Sequence, residues 1–335
     1  MDLNGTWFIL VAAMIVVYAV LDGFDLGVGA LSLLSSDPEE RRLHMAAIAP
    51  VWDGNEVWLL AGGGALFAAF PVVYATVFSA FYLAVVLLVF FLILRAVSIE
   101  FRGAVASPAW RRGWDLAFGV GSLGPAVLFG VAVGNVLRGL PIDASGAFTG
   151  SFLGLLNPYA LLVGAVCLAM FTTHGAIYLA MKTGGTLGKR MARLAPRLWV
   201  AWVALYVVAS VATLFVAPHL FAGVFREWAF WVLLPALIVS LVAVPIAVHA
   251  GRLGLAFAAS SAAIATSTGL GGVSLWPWLV PSSTNVLYSL DAYNSASTPR
   301  TLTVMLVIVA IGVPLVAAYT VFIYRVFKGK AGAGY

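Results

Sequence analysis

Residues 77–94 read VFSAFYLAVVLLVFFLIL. No charge interrupts this run, and apolar residues do not alternate with polar ones along it. A strand of a membrane barrel would alternate with period two. The run is instead the pattern of a helix in lipid, where every backbone amide must find its partner inside its own segment. Outward from it the pattern repeats. We read nine spans: Thr6–Leu34, Pro50–Phe70, Ala75–Val97, Leu116–Leu137, Tyr159–Met181, Leu198–Val216, Ala229–Val248, Leu255–Val273 and Leu302–Val326. The eighth is the most polar (SSAAIATSTG, 260–269), a composition suited to helix–helix contact in a bilayer.

Composition agrees. Of 335 residues, 63% are apolar and 9% charged, against about 25% charged in a soluble domain. Mean hydropathy is +1.05, so too little polar surface exists to coat a water-soluble globule. The net charge of +5 reads as a topology determinant rather than a nucleic-acid surface. With the N-terminus outside and the spans alternating, every Lys and Arg except Arg138, Arg226 and Arg300 falls on the inner side. The expectation is an all-α polytopic membrane protein of one integral-membrane domain, N-terminus periplasmic and C-terminus cytoplasmic. No cleavable leader is expected, because the first apolar segment is long and lacks a basic stretch before it. Residues 331–335 read as a frayed tail. Cys167 is the single cysteine, which excludes an intramolecular disulfide and a thiolate metal cluster.

Ionisable groups inside a membrane are costly and are candidates for function. Asp22 and Asp25 stand three apart in the first span, and Asp53 and Glu56 three apart at the head of the second, so each pair shares a helix face. Asp25 lies about 19 residues into its span, which at about 1.5 Å per residue places it in the inner half. Glu100 ends the third span on the same side, and Asp115 precedes the fourth. Carboxylates gathered at one depth suit a proton relay opening from the cytoplasm. The structural alternatives are helix-dipole stabilisation by Asp53 and Asp115 and pairing with Arg95 or Arg102. Gly23, Gly27 and Gly29, like Gly62, Gly63 and Gly64, read as close-packing positions. Of the histidines, His44 and His219 fall in loops and His249 at a span end. His174, in TTHGA, lies well inside a span, where a packing role is commoner than haem ligation.

The stretch DGFDLGVGAL (22–31), a short loop with Arg41-Arg42, and IAPVWDGNEVWLLAGGGALFAAFPVVYA (48–75) together resemble subunit II of the cytochrome bd-type quinol oxidases. WDLAFGVGSLGPAVLFGVAVGNVLRG (114–139), LLNPYALLVG (155–164), TTHGAIYL (172–179) and PSST (281–284) extend the resemblance over nearly the whole chain. It implies two four-helix bundles (1–138 and 155–273) with a peripheral helix (302–326). It also implies a heterodimer with a subunit I that ligates haem b and haem d and oxidises quinol, and it admits a small accessory subunit and a structural quinone. The complex would reduce O2 to water in the bacterial cytoplasmic membrane and generate proton motive force. This chain would supply a proton path through Asp25, Asp53, Glu100 and Glu56, and Trp52 and Trp58 would wall the haem cavity. Two other classes compete: a secondary transporter, whose charges should sit near the bilayer midplane, and a purely structural subunit.

Overall fold

The computed structural model describes residues 2–331; of the tail expected at 331–335, residues 332–335 lie outside the described residues. Ala331 is tied down, its amide donating to the Lys182 carbonyl at 2.7 Å. The elements are α1 (Leu3–Ser32), α2 (Pro38–Ile48), α3 (Trp52–Ala69), α4 (Pro71–Ala80), α5 (Tyr82–Phe101), α6 (Pro108–Arg138), α7 (Pro158–Lys182), α8 (Gly185–Val216), the single turn α9 (Phe221–Val224), α10 (Trp228–His249), α11 (Leu253–Leu275) and α12 (Pro299–Val326). Among the described residues eight helices are long and apolar enough to cross a membrane: α1, α5, α6, α7, α8, α10, α11 and α12. Helix α3 has 18 residues, but its polar first turns, DGNE, set it apart from those eight.

The core is built around α1 and α7, which also touch α6 and α11. Glycine makes that contact. A Cβ on Gly175 would lie 2.6 Å from the carbonyl carbon of Gly27, and one on Gly27 would collide with the backbone of Phe171. Gly121 does the same between α6 and α5, where a Cβ would fall 2.8 Å from the Arg95 amide nitrogen. The second glycine run behaves differently from expectation. Gly63 and Gly64 have nothing within 4 Å of a built Cβ, because α3 turns that side away from the rest of the chain.

Three boundaries differ from the sequence reading. Residues 38–48, a loop by their charge, form α2. Its start signals are present: Asp37 accepts from the Glu39 amide at 2.9 Å, and Pro38 occupies the first turn. Helices α6 and α8 begin eight and thirteen residues before the apolar spans they contain, since hydropathy registers the lipid-facing part of a helix and not its basic ends. The span expected at Ala75–Val97 is broken at Phe81. The break turns the Phe81 ring into the core while Tyr82 stays 66% exposed. At the far end of the molecule, β1 (Trp278–Val280) and β2 (Leu290–Asp291) form a small antiparallel pair. The Leu140 amide and carbonyl bond across to Pro281 and Ser283 at 2.9 Å each, which joins the two long loops.

Helix α2 docks through its arginine and glutamate side chains and one histidine. Arg190 bonds Glu40 at 2.7 Å and Ser35 at 2.8 Å. His44 is fully buried, with Nδ1 2.7 Å from the Glu40 carbonyl and Nε2 unpartnered. Burial pushes its pKa down to about 4. The folded value lies below the unfolded one, so His44 favours the docked state above about pH 6.5 and loses that contribution as pH falls towards about 4. Thermal melts of the purified complex should therefore show an acid-side destabilisation of about 3 kcal/mol over this window. His44→Phe should flatten that limb; an unchanged slope would show that another group titrates.

Candidate functional site

The charges concentrate where α1, α3 and α5 meet. Arg95 is completely buried in α5. Its Nη1 lies 2.8 Å from Asp22 Oδ1, and its Nη2 is ion-paired with Glu56 Oε1. Asp22 also accepts from the Tyr18 hydroxyl, one turn earlier on α1, at 2.7 Å. A guanidinium serves this position because its planar fork reaches two carboxylates at once. Gly121 permits it, by letting α6 lie directly against the Arg95 backbone.

Asp25 has a different neighbourhood. Although it shares a helix face with Asp22, its Oδ2 accepts from Asn55 Nδ2 at 2.7 Å, and its Oδ1 is buried without a hydrogen-bond partner among the described residues. Asn55 is fully engaged: Nδ2 also donates to the Leu21 carbonyl at 3.1 Å, and Oδ1 accepts from the Tyr324 hydroxyl at 3.1 Å. The last long helix, α12, thus closes onto the head of α3. Two adjacent acids have been separated by their partners: Asp22 is a counter-ion, and Asp25 belongs to a chain of neutral hydrogen-bonding groups.

Asp53 and Glu100 are exposed. Among the described residues Asp53 Oδ1 accepts only from the Gly54 amide, at 2.7 Å, a local bond at the start of α3. Each acid ends a stripe of exposed apolar residues on its helix. On α3 the stripe is Val57, Leu60 and Phe67, with Leu60 76% exposed; on α5 it is Leu83, Val86, Phe90 and Ile93. Spacings of three, four and seven residues place each set on one helix face. Asp115, by contrast, is nearly buried, 2.5 Å from Arg102 Nε and 3.9 Å from Arg41 Nη1, so the pairing considered for it with Arg102 is present.

The structure therefore unites Asp22, Glu56 and Arg95, sets Asp25 beside them on Asn55 and Tyr324, and leaves Asp53 and Glu100 facing outward. Trp58 points inward, in a buried cluster with Met14 and Tyr18, and Trp52 is half-buried. His174 has both ring nitrogens engaged, Nδ1 with Ser260 Oγ at 2.7 Å and Nε2 with the Val20 carbonyl at 3.2 Å, and it stacks on Phe257. A haem iron would have to displace one of those bonds, so His174 does not fit an axial ligand. Three contributors escaped the sequence reading. Tyr18 stands four residues before Asp22, an i,i+4 signal that was available. Asn55 sits between the two noted acids but carries no charge to draw notice. Tyr324 lies 269 residues from its partner, and nothing local announces it.

A family model described as cytochrome bd terminal oxidase subunit II matches residues 3–327. The chain is 37% identical to the "Probable cytochrome oxidase subunit 2" of Haemophilus influenzae, covering 98% of this chain and 95% of the relative. It is 37% identical to the "Cytochrome bd-I ubiquinol oxidase subunit 2" of Escherichia coli (strain K12), with 97% and 94% covered. The "Cytochrome bd ubiquinol oxidase subunit 2" of Bacillus subtilis is 33% identical, with 98% and 97% covered. A chain in the structure of bd oxidase from Geobacillus thermodenitrificans superposes with a TM-score of 0.80 over 98% of this chain and 99% of that one; at 16% identity this shows a shared fold.

Proposed function

Because the chain belongs to the cytochrome bd terminal oxidase subunit II family, we propose that its inner-end acids form the proton-uptake side of a complex that oxidises quinol and reduces O2 to water. The family makes it a multi-pass protein of the bacterial inner membrane and a subunit of a terminal quinol oxidase, working with a subunit I. On our reading nine helices cross the membrane, with α3 added to the eight apolar ones. The N-terminus is periplasmic, the C-terminus is cytoplasmic, and two four-helix bundles are followed by peripheral α12. Subunit I holds haem b and haem d, which supply the redox chemistry when bound. The acids here move protons towards them, so that the reaction builds proton motive force.

The observation that carries this reading is the outward placement of Asp53 and Glu100 at the ends of apolar faces that this chain does not itself cover. A carboxylate at the edge of such a face meets water at one side and the partner at the other, and it can take a proton from the first and release it towards the second. Glu56 and Asp22 are held by Arg95 behind that face, where they fix α1, α3 and α5 relative to one another. Asp25, free of an ion pair, can gain or lose a proton without breaking one. The division of labour is then a fixed ion-paired frame and titrating acids around it.

Asp53→Asn tests this. Asparagine can make the same bond to the Gly54 amide, so the complex should assemble with its normal haem absorption. Oxygen consumption should fall by about two orders of magnitude, the lower end of what a positioned proton-transfer group contributes, and Asp53→Glu should restore part of it. Unchanged oxygen consumption in an assembled Asp53→Asn complex would remove Asp53 from the path and leave the chain a structural subunit.

A further inference from the structure

At the end of the molecule opposite the acids, a cleft of about 310 Å³ opens between the C-terminal ends of α6 and α8 and the joined loops, lined by Arg138, Val216, His219, Trp278, Ser283 and Ser289 among others. No carboxylate lines it. The Arg138 side chain is exposed and makes no ion pair or hydrogen bond among the described residues. Ser289 is buried, and its Oγ accepts from the Ser282 amide at 3.0 Å, which leaves its O–H to donate. The His219 Nε2 is buried and has no hydrogen-bond partner among the described residues. Burial lowers the pKa of the ring, and the nearby Leu137 carbonyl opposes that shift. The Trp278 ring stands edge-on to it, with centroids 6.1 Å apart. The cleft thus offers a guanidinium and a hydroxyl donor for an anion, beside an unpartnered ring nitrogen. A second feature continues from it. Val208, Val211, Phe215 and Val216 run down α8 as an exposed apolar face, with Phe215 81% exposed.

We propose that this cleft binds the phosphodiester headgroup of an anionic phospholipid, with Arg138 on the phosphate and the acyl chains lying along α8. A guanidinium matches the paired oxygens of a phosphodiester. The absence of a carboxylate leaves nothing to receive the ammonium or choline of a zwitterionic lipid. A hydroxylated headgroup such as glycerol supplies a partner for the unpartnered His219 Nε2, because a hydroxyl both donates and accepts. The apolar face below Val216 accounts for an amphiphile rather than a free anion, and Trp278 sits where an interfacial aromatic belongs. Given the topology proposed above, the lipid lies in the outer leaflet. The proposal needs only that α6 and α8 span the membrane and not that the acids carry protons, so the two readings fail independently.

The test uses the delipidated two-subunit complex, incubated with dioleoylphosphatidylglycerol or dioleoylphosphatidylcholine, with retained lipids counted by native mass spectrometry. The wild-type complex should retain phosphatidylglycerol in preference to phosphatidylcholine. Arg138→Gln should retain one phosphatidylglycerol fewer, with its affinity lowered roughly tenfold or more, as loss of a charge-assisted contact implies. Arg138→Lys should retain part of the preference. Arg300→Gln, an exposed arginine away from the cleft, should match the wild type. Equal retention of the two lipids, or an Arg138→Gln complex indistinguishable from wild type, would overturn the proposal. Displacement of the phosphatidylglycerol by millimolar inorganic phosphate would also overturn it, by showing a site for the free ion.

Discussion

Arg95→Leu is expected to abolish accumulation of the assembled complex. The side chain is fully buried and neutralises two carboxylates, Asp22 at 2.8 Å and Glu56. Without it Asp22, fully buried, and Glu56, half-buried, face each other with no cation between them, and only the Tyr18 hydroxyl remains on Asp22. Removing one partner of a buried ion pair costs about 3–5 kcal/mol, a large part of the roughly 5–15 kcal/mol that holds a typical fold together. Haem absorption of the membranes and the melting temperature of whatever complex can be purified measure the effect. The triple variant Arg95→Leu, Asp22→Asn, Glu56→Gln removes all three charges together and should recover most of the assembly. Were Arg95→Leu alone to accumulate and melt like wild type, the ion-paired frame would not be what fixes α1, α3 and α5.

The second large effect is expected at Gly27. A Cβ there collides with the Phe171 backbone, and the reciprocal Cβ on Gly175 falls 2.6 Å from both Gly27 C and Val28 N. The obstructing atoms are backbone on both helices, so no rotamer change relieves the clash and α1 and α7 must separate. Overpacking that side chains can partly absorb costs about 1–3 kcal/mol; at this contact the cost should exceed that range, and Gly27→Ala should yield little complex. Gly64→Ala provides the contrast. Its Cβ meets nothing in this chain, so the subunit should still insert and fold. Any drop in complex with Gly64→Ala then reports a partner packed on α3, and quantifying both subunits in membranes separates the two cases. An assembled Gly27→Ala complex of normal melting temperature would contradict the close α1–α7 contact.

These two glycines also mark how far the sequence could be read. Gly27 and Gly64 look alike in it, each in a run of small residues within an apolar span, yet one is wedged between helices and the other faces away. A sequence carries periodicity but not the identity of what covers a face. The acids were legible for a different reason: a charge in an apolar run is conspicuous whatever surrounds it. Their partners were less so. Asn55 and Tyr18 carry no formal charge, and Tyr324 joins Asn55 from the far end of the chain. Helix α2 was announced by Asp37-Pro38 and Glu39 but hidden by its brevity and its charges, which read as a loop. The break at Phe81 had no Gly or Pro to signal it, although the ring there is buried.

On the proposed function Asp53 and Glu100 stand at a water-accessible seam between this chain and a haem-bearing neighbour. A density map of the assembled complex that resolves side chains and ordered water tests it most directly. Subunit I should be packed over the Val57–Leu60–Phe67 face of α3, and water should connect the cytoplasmic surface to both carboxylates. A map in which lipid covers that face, with the two acids turned away from subunit I and no water leading to them, would contradict it.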